Sequence, residues 1–499
     1  MIGSWRRTAV AALAGIGLTG VIMAGALTPS ASGADPAITA KSKTKKKGGR
    51  KQTRPNIIVI NTDDQEDSLI GLPTVQGRLA GSGTTFTNFT TVDSLCCPSR
   101  ATLLTGQYTH NHGVLGNSLA DGGGFFGFRN QRNTLPVWLR AAGYRTAHVG
   151  KYLNEYGSRR PKLIPPGWSE WHTLTGGRDQ ARYGFKLNRN GKIIRNGGLK
   201  GKHAPKYLTD VESRINKELI ERWAPSARPF FLLFDPSAPH QEGPNVDPPR
   251  DPRPARRHLG RFEAASLPQP PSFNEADVSD KPAEIQNRPR LDAQAVTKLT
   301  IQYRSRLENL LSVDDAIRSM IRQLRKRKEL DDTVIIFTSD NGFVLGQHRI
   351  PGEKNHPYEE SMQVPLVISG PGFPRGAQRT QLAANIDLAG TIAELAKARP
   401  RRPQDGVSLL RLANNPSFGT DRDILYENFN QVFTTPYRAI RTSRYVLIER
   451  STGERELYDL RTDPYELNNQ AGKPAFSSIE ADLAARLGAL RNCAGASCP

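Results

Sequence analysis

Short apolar runs alternate with longer amphipathic segments from Pro55 onward. Residues 57–60 read Ile-Ile-Val-Ile, which is typical of a strand buried on both faces. Four further segments have the same character and are predicted as strands: 146–149, 229–234, 333–338 and 364–369.

A long helix is predicted before residues 333–338. Between Leu307 and Leu324 apolar side chains recur every three or four residues, and only Asp314 interrupts the series. This spacing places them on one stripe of a helix. Strands that alternate with helices form a mostly parallel sheet covered on both faces, so the pattern predicts an α/β fold.

Two stretches depart from this alternation. Residues 243–290 are rich in proline and charge, which predicts a long surface insertion. After residue 400, three short runs separated by Gly and Asp turns predict antiparallel strands at 437–440, 445–449 and 456–460. We therefore expect a main α/β domain and a small antiparallel C-terminal subdomain, divided as 55–400 and 401–499.

The N-terminus predicts export. Arg6 and Arg7 precede an apolar stretch at residues 9–27, and small residues follow as far as Ala34. This order is typical of a secretory signal peptide, which we place at 1–34. An uncleaved membrane anchor is the alternative, because the apolar stretch is close to spanning length. The pair of arginines also permits a twin-arginine signal.

Charge adds a candidate interaction with anionic partners. The chain has 499 residues and a formal net charge of +21, and residues 35–54 contain eight basic side chains. We expect this segment to be a disordered basic arm that could meet an anionic surface. No nucleic-acid-binding signature follows it, so we expect no nucleic acid partner. Hydrophobic residues at 37% exclude a protein with many membrane spans.

Cysteine contributes little to the predicted fold. The four cysteines are few for an exported chain, and only Cys493 and Cys498 are spaced to close a small loop. Asn88 begins a glycosylation sequon, which matters only in a host that glycosylates.

Polar side chains follow two of the predicted strands at the point where each ends. Asp63 and Asp64 come after residues 57–60, and Asp340 and Asn341 come after residues 333–338. Ligands of an open α/β sheet bind at the carboxyl ends of its strands. Carboxylate and amide oxygens suit Ca²⁺ or Mg²⁺, so we predict a divalent cation here. Each motif alone is also compatible with an ordinary turn.

One long motif points to a family. Residues 96–106 read Cys-Cys-Pro-Ser-Arg-Ala-Thr-Leu-Leu-Thr-Gly, which resembles the C-x-P-S-R signature of type I sulfatases. The resemblance implies that Cys96, and not Cys97, is oxidised to formylglycine by a formylglycine-generating enzyme. It also implies that Cys96 becomes a ligand of the metal. Without the resemblance, the adjacent Cys96 and Cys97 would be interpreted as a buried apolar site.

The resemblance implies a mechanism and a local structure. The hydrated aldehyde is a geminal diol, of which one hydroxyl attacks sulfur and the other later expels sulfate. We expect residues 99–107 to form a helix whose N-terminus faces the anion, with Arg100 fixing the nucleophile.

Further motifs imply the remaining site residues. Gly150-Lys151-Tyr152-Leu153-Asn154 is similar to the family's G-K-W-H segment, so Lys151 is expected to bind sulfate. Many members have a histidine where this chain has Leu153. The base for the elimination step is therefore open, and His112 and His356 are candidates beside a purely structural role.

Two more segments match the family pattern. Ala238-Pro239-His240 resembles its A-P-H turn and makes His240 the expected general acid. Gly352-Glu353-Lys354 aligns with a second sulfate-binding lysine, Lys354, although an exposed lysine is usually only solvated. Residues 150–157 with 165–168 resemble the N-acetylglucosamine-6-sulfatase-like branch in particular.

The resemblance implies an alkaline-phosphatase-like α/β sandwich with a small C-terminal antiparallel subdomain. It implies hydrolysis of a sulfate ester on an amino sugar or sulfated polysaccharide, whose capture the positive charge would assist. Two alternatives stay open: a phosphoester or phosphonate hydrolase on the same scaffold, and a non-catalytic polyanion-binding protein.

Overall fold

The structure is a computed structural model that describes residues 54–175, 181–198, 206–224, 226–242 and 252–498. The expected signal peptide at 1–34 and nearly all of the basic arm at 35–54 lie outside these ranges. Within them, no helix is both long enough and apolar enough to cross a membrane.

The strands in the described ranges fall into three sheets. They are β1 (Asn56–Thr62), β2 (Gly83–Phe86), β3 (Phe89–Thr90), β4 (Arg145–Gly150), β5 (Glu170–Leu174), β6 (Lys186–Arg189), β7 (Lys192–Arg195), β8 (Phe230–Asp235), β9 (Thr333–Ser339), β10 (Leu366–Ser369), β11 (Ala377–Arg379), β12 (Ala383–Ala384), β13 (Ile424–Asn428), β14 (Tyr437–Arg441), β15 (Tyr445–Arg450) and β16 (Arg455–Asp459).

Helices occupy most of the connections between these strands. The α-helices are α1 (Cys96–Thr105), α2 (Thr109–His112), α3 (Gly124–Gly127), α4 (Leu135–Ala141), α5 (Leu208–Trp223), α6 (Ala283–Gln286), α7 (Ala293–Arg327), α8 (Glu359–Met362), α9 (Ile386–Ala396), α10 (Leu409–Asn414) and α11 (Ser477–Leu490). Thr74–Leu79 forms a π-helix, and Arg256–His258, Pro474–Phe476 and Gly495–Ser497 form 3₁₀ turns.

A ten-stranded sheet forms the centre, in the order β11-β2-β10-β9-β1-β8-β4-β5-β6-β7. Its five central strands, which are β9, β1, β8, β4 and β5, all run parallel to one another. Antiparallel pairs occur toward the two edges of the sheet. The mostly parallel sheet predicted from the sequence is confirmed, and all five predicted strands belong to it.

Both faces of this sheet are covered. Along β1, Ile57 and Val59 join a core with α1, α4 and α9, whereas Ile58 and Ile60 join a core with α5 and α7. Successive side chains of a strand point to opposite faces, so an uninterrupted apolar run marks a strand buried on both sides. The result is an α/β sandwich, as expected.

Asp314, the polar residue that interrupts the apolar stripe of the long helix α7, has a structural role. Asp292 begins the helix by accepting a hydrogen bond from the backbone N–H of Ala295. Asp314 is buried, and its carboxylate accepts hydrogen bonds from the backbone N–H and the hydroxyl of Thr74 at 2.6 and 2.8 Å. The carboxylate of Asp314 therefore provides the hydrogen-bond acceptors that these two donors of Thr74 need.

The C-terminal part contains the expected antiparallel sheet. Strands β13 to β16 pair in sequence order, and α11 packs against them in a separate apolar cluster. Cys493 and Cys498 form a disulfide, as their spacing predicted. The boundary at residue 400 and the insertion at 243–290 stay predictions; in the described part of that segment, Val278 and Ile285 are buried against the C-terminal sheet.

Candidate active site

Two neighbouring strands bring the four predicted oxygen ligands together. In the parallel pair of β1 and β9, Thr62 lies opposite Ser339, so Asp63 and Asp64 emerge beside Asp340 and Asn341. The backbone N–H of Asp64 donates to Asp340 Oδ1 at 3.1 Å, and Asn341 Nδ2 donates to Asp64 Oδ1 at 2.8 Å. The strand ends thus form one polar cluster, as predicted.

Helix α1 places Cys96 at this cluster. The helix begins at Cys96 and ends at Thr105, so the prediction of a helix over residues 99–107 was wrong at both ends. Pro98 does not break the helix, because first-turn N–H groups make no intrahelical hydrogen bond and proline is tolerated there. Gly106, in the left-handed region at φ 69°, ends it.

The thiol of Cys96 lies among charged groups. Its Sγ is 3.7 Å from Asp63 Oδ1, 3.5 Å from Lys151 Nζ and 2.8 Å from Lys354 Nζ. Lys151 also lies 2.7 Å from Asp63 Oδ2, and Lys354 is ion-paired with Asp64 Oδ1. Both predicted sulfate-binding lysines are buried, and both ammonium groups meet at Cys96.

Arg100, one turn after Cys96, links the strand ends to the helix. Its guanidinium lies 2.8 Å from Asp340 Oδ2, 3.8 Å from Asp63 Oδ2 and 3.1 Å from Asp235 Oδ1. It also donates to the carbonyl of Lys151 at 3.0 Å. Because arginine presents several donors in a rigid plane, these contacts fix the first turn of α1 against the sheet.

His240 joins the cluster from the end of β8. Its Nε2 lies 3.4 Å from Asp64 Oδ2, and the adjacent Pro239 forms a bridge with Asp63. The ring is mostly buried, and burial lowers the pKa of His240 although the nearby carboxylates act in the opposite direction. The structure therefore brings the predicted general acid to the predicted ligands.

Burial and charge shift the ionisation of the central groups. Burial raises the pKa of the Cys96 thiol to about 11, although Lys151 and Lys354 favour the thiolate. Burial and the negative charge of Asp63 raise the pKa of Asp340 to about 7. Burial opposes ionisation of Asp63 too, but the positive charges around it, led by Lys151, hold its pKa below the usual value.

Neither histidine considered as the base makes a hydrogen bond with Cys96. His112 is hydrogen-bonded to the hydroxyl of Thr102 and the backbone N–H of Val114, and burial lowers its pKa to about 3. His356 Nε2 lies 3.2 Å from Glu353 Oε2. Leu153 is buried in the apolar core. Among the residues that the structure describes, His240 is the histidine that joins the carboxylates and Cys96.

Two functional-site residues escaped the sequence analysis. Asp235 ends β8 and accepts one hydrogen bond from Asn61 Nδ2 at 2.9 Å, besides its ion pair with Arg100. His148, in β4, lies between Asp235 Oδ2 at 2.9 Å and the hydroxyl of Thr173 at 2.6 Å. A carboxylate directly after a buried strand was the available signal, because the same pattern had identified Asp63.

Cys97 occupies a different environment from Cys96. Its backbone N–H donates to Asn117 Oδ1 at 2.9 Å, and its Sγ accepts from the backbone N–H of Asn154 at 3.1 Å. The side chain belongs to the apolar core on one face of the sheet. It is therefore turned away from the polar cluster that surrounds Cys96.

The residues present fit a divalent cation. Asp63, Asp64, Cys96 and His240 each offer a ligand atom within 4.8 Å of the others. Asn341 Oδ1 is buried and has no hydrogen-bond partner in the described part of the chain. A buried amide oxygen without a partner is costly unless something binds it, and Ca²⁺ and Mg²⁺ prefer such oxygens.

Two family models match the chain. One, described as sulfatase, matches residues 55–398. The other, described as the C-terminal region of N-sulphoglucosamine sulphohydrolase, matches residues 346–493.

Individual relatives have related names. An N-acetylglucosamine-6-sulfatase of Capra hircus is 30% identical, over 91% of this chain and 85% of that protein. An extracellular sulfatase homologue of Drosophila melanogaster is 31% identical, over 75% of this chain and 32% of that protein. A solved structure in complex with its substrate, D-glucosamine-2-N,6-O-disulfate, superposes with a TM-score of 0.70 at 26% identity, covering 87% of this chain and 97% of the other.

Proposed function

This chain belongs to the sulfatase family and is a sulfuric ester hydrolase, and from that premise we propose that it removes a 6-O-sulfate from an amino sugar, free or within a sulfated polysaccharide. The names of the relatives support this substrate class, because the goat protein is an N-acetylglucosamine-6-sulfatase and the solved structure holds a 6-O-sulfated glucosamine.

The observation that carries the proposal is the meeting of two ammonium groups at one sulfur atom. Lys151 Nζ and Lys354 Nζ lie 3.5 and 2.8 Å from Cys96 Sγ. A sulfate group brought to Cys96 would therefore lie against two positive charges in a buried site. Such preorganised charges favour the additional negative charge that develops on oxygen during displacement at sulfur.

We infer that Cys96 is oxidised to formylglycine by a formylglycine-generating enzyme. When hydrated, that residue would supply a geminal diol whose hydroxyl is the nucleophile toward sulfur. The position of Cys96 at the start of α1 supports this role, since its side chain is held between the carboxylate of Asp63 and the two lysines. Arg100 keeps the first turn of the helix in place through Asp340 and Asp235.

A divalent cation completes the proposed site. Asp63, Asp64 and Cys96 have ligand atoms within 4.8 Å of one another, and Asp340 and Asn341 follow the neighbouring strand end. With Cys96 modified, these five residues would hold Ca²⁺ or Mg²⁺, which would offset the charge of the carboxylates and draw sulfate oxygens toward the nucleophile.

His240 is the proposed general acid. Its ring borders Asp64 on the side where β8 ends, and its Nδ1 lies 2.6 Å from the carbonyl of Gln241. If Nδ1 carries a proton that it donates to this carbonyl, Nε2 is the atom that faces the cluster. Protonated there, it can deliver a proton to the sugar oxygen as the bond to sulfur breaks.

Turnover of matched substrates tests the reaction class. An aryl sulfate and the corresponding aryl phosphate differ in the charge that the site must accept, and we expect kcat/KM to favour the sulfate. A preference for phosphate or phosphonate would replace the sulfatase proposal by the phosphohydrolase alternative. Absence of turnover together with an unmodified Cys96 would favour a polyanion-binding protein.

A second comparison tests the substrate class. N-acetylglucosamine-6-sulfate, the 3-sulfate and an N-sulfated glucosamine carry the same group at different positions. We expect release of sulfate from the 6-position to be the fastest. Faster release from either of the other positions would overturn the 6-O assignment and leave the sulfatase chemistry in place.

We also propose that the mature protein is exported. The Drosophila relative is an extracellular sulfatase by name, and a disulfide such as Cys493–Cys498 persists in oxidising compartments. N-terminal sequencing of the mature protein should find a start near Asp35. Retention of residues 1–34 would favour the anchored alternative.

A further inference from the structure

A second cluster of metal-ligand side chains shares no residue with the site around Cys96. His348, Glu360 and Glu466 each bring one ligand atom within 4.8 Å of the others. They come from three separate parts of the fold: the loop after β9, helix α8, and the turn that follows β16. His348 and Glu466 are completely buried, at 0% exposure.

The imidazole of His348 is oriented by a carboxylate. Its Nδ1 lies 2.7 Å from Glu275 Oε2, and the ring stacks on Tyr358 with centroids 4.2 Å apart. Nε2 is buried and has no hydrogen-bond partner among the described residues. A carboxylate behind Nδ1 leaves the lone pair of Nε2 directed forward, which is the usual arrangement of a histidine that binds a metal.

The two carboxylates are held in the same way, each by one oxygen. Glu360 Oε1 accepts from the hydroxyl of Ser272 at 2.9 Å, and Glu466 Oε2 accepts from the backbone N–H of Glu359 at 2.9 Å. The other oxygens, Glu360 Oε2 and Glu466 Oε1, are buried without a hydrogen-bond partner in the described ranges. Three unpartnered ligand atoms therefore belong to one cluster.

The negative charge of the two carboxylates is not neutralised within this cluster. Glu360 Oε2 lies 3.9 Å from His348 Nε2, which is a long contact for an ion pair. Burial, reinforced by the negative charges of Glu359 and Glu360, raises the pKa of Glu466. Carboxylates buried together require either a shared proton or a cation.

A cavity borders the cluster at Glu360. A cavity of about 330 Å³ is lined by Glu360 together with Asp67, Phe343 and Tyr465. Glu360 lines this cavity with its half-buried side chain, and its Oε2 lies behind the cavity wall with the other two buried ligand atoms. A metal site needs an access path as well as its ligands.

We propose that His348 Nε2, Glu360 Oε2 and Glu466 Oε1 bind a second divalent metal ion, of the class that accepts imidazole and carboxylate ligands, with Zn²⁺ as the reference member. Imidazole suits Zn²⁺ and other late transition metals, whereas Ca²⁺ takes oxygen ligands, so this site differs in chemistry from the strand-end site. The ion ties the loop that carries Lys354 to the C-terminal subdomain that carries Glu466.

Zinc titration of the calcium-saturated protein tests this site. Excess Ca²⁺ keeps the strand-end oxygens occupied, and a competing chelator removes zinc from weak surface positions. We expect the unaltered protein to retain one equivalent of Zn²⁺ and His348→Asn and Glu466→Gln to retain none. Asp63→Asn, which alters the strand-end site, should still retain one equivalent. Glu275→Gln should bind zinc about ten- to a hundredfold more weakly, because it removes the group behind His348.

X-ray absorption at the zinc edge provides a readout independent of activity. We expect a nitrogen and oxygen shell with the outer scattering of one imidazole. No zinc in the unaltered protein, zinc lost in Asp63→Asn, or zinc kept in both His348→Asn and Glu466→Gln would overturn the proposal in favour of a shared proton. Should His348→Asn fail to fold by circular dichroism, Glu360→Gln, at the rim of the cavity, provides the same comparison.

Discussion

The ammonium group of Lys354 lies 2.8 Å from the sulfur of Cys96, although 258 residues separate them in the chain. Only 5% of Lys354 is exposed, and burial would by itself lower its pKa; Asp64 and Cys96 more than compensate and raise it. Lys354 is thus a buried cation at the proposed point of attack rather than a solvated loop residue.

Removing this charge should cost activity more than stability. We expect Lys354→Ala to lower kcat/KM by about a hundred- to a thousandfold, as for loss of one group that stabilises a transition state. Lys151→Ala should behave similarly. Steady-state kinetics on an aryl sulfate would measure the change.

Lys298→Ala provides the matched control, because Lys298 is exposed on α7. Its kinetics should equal those of the unaltered protein. If Lys354→Ala were equally active, the two ammonium groups would not be the sulfate-binding pair.

His240 should matter in proportion to the difficulty of the leaving group. We expect His240→Gln to lower kcat by about 10² to 10⁴ on a sugar sulfate, whose alkoxide is a poor leaving group. An aryl sulfate with an acidic phenol needs little protonation and should lose far less. Equal losses on both substrates would contradict a role in protonation.

Chelation should remove both activity and stability. Asp63, Asp64 and Asp340 are buried together, and a bound cation stabilises the folded state by about 2.7 kcal/mol at a hundredfold excess over its Kd. We expect EDTA to lower Tm and abolish turnover, and Ca²⁺ or Mg²⁺ to restore turnover and the part of Tm that the strand-end site contributes.

The Tm of His348→Asn should still respond to Ca²⁺, because its strand-end ligands are unchanged. That of Asp340→Asn should respond much less. Full activity after thorough chelation would exclude a metal from the reaction.

Glu212 should make stability fall as pH rises. It lies in α5 at 0% exposure, neither carboxyl oxygen has a hydrogen-bond partner among the described residues, and burial raises its pKa to about 8. Between its ordinary value near 4.5 and about 8 the folded state binds more protons than the unfolded state. Glu212 therefore stabilises the fold fully below the lower value and loses this effect by the upper one.

Glu212→Gln should remove this dependence. Across that pH range the free energy of unfolding of the variant should rise relative to the unaltered protein by at most about 1.4 kcal/mol per pH unit. Denaturant titrations at pH 5 and pH 8 measure it, with Glu218→Gln, exposed on the same helix, as control. A difference that does not change with pH would contradict the assignment.

The sequence predicted the core strands well because their apolar runs are local signals. Residues 57–60 could be predicted as a strand without tertiary information, because four successive apolar side chains indicate burial on both faces of a sheet. Asp63, Asp64, Asp340 and Asn341 were predicted together because parallel neighbouring strands end at the same edge of a sheet.

The structure differs from the sequence-based expectations where tertiary contacts determine the position or the role of a residue. The start of α1 was misplaced because Pro98, which lies in the first turn of the helix, resembles a helix-breaking residue when only the sequence is considered. Asp235 was missed although it directly follows a predicted strand. His148 was missed because its role depends on Asp235 and Thr173, which only the folded sheet brings near. The cluster of His348, Glu360 and Glu466 has no local motif, because its ligands come from distant segments.

Substitution of the two adjacent cysteines separates their roles. Cys96→Ala should abolish turnover with little loss of stability, since the side chain borders polar groups. Cys97→Ala should stay active with a modest loss of stability, because it removes one sulfur from the apolar core. Equal loss of activity in both variants would contradict the choice of Cys96.

The mass of the peptide that contains Cys96, taken from active mature protein, tests the account most directly. Oxidation of the thiol to an aldehyde replaces CH2SH by CHO and lowers the mass by about 18 Da. We predict that the fraction of lighter peptide rises in proportion to specific activity. A fully active preparation in which Cys96 is an unmodified thiol would contradict the account.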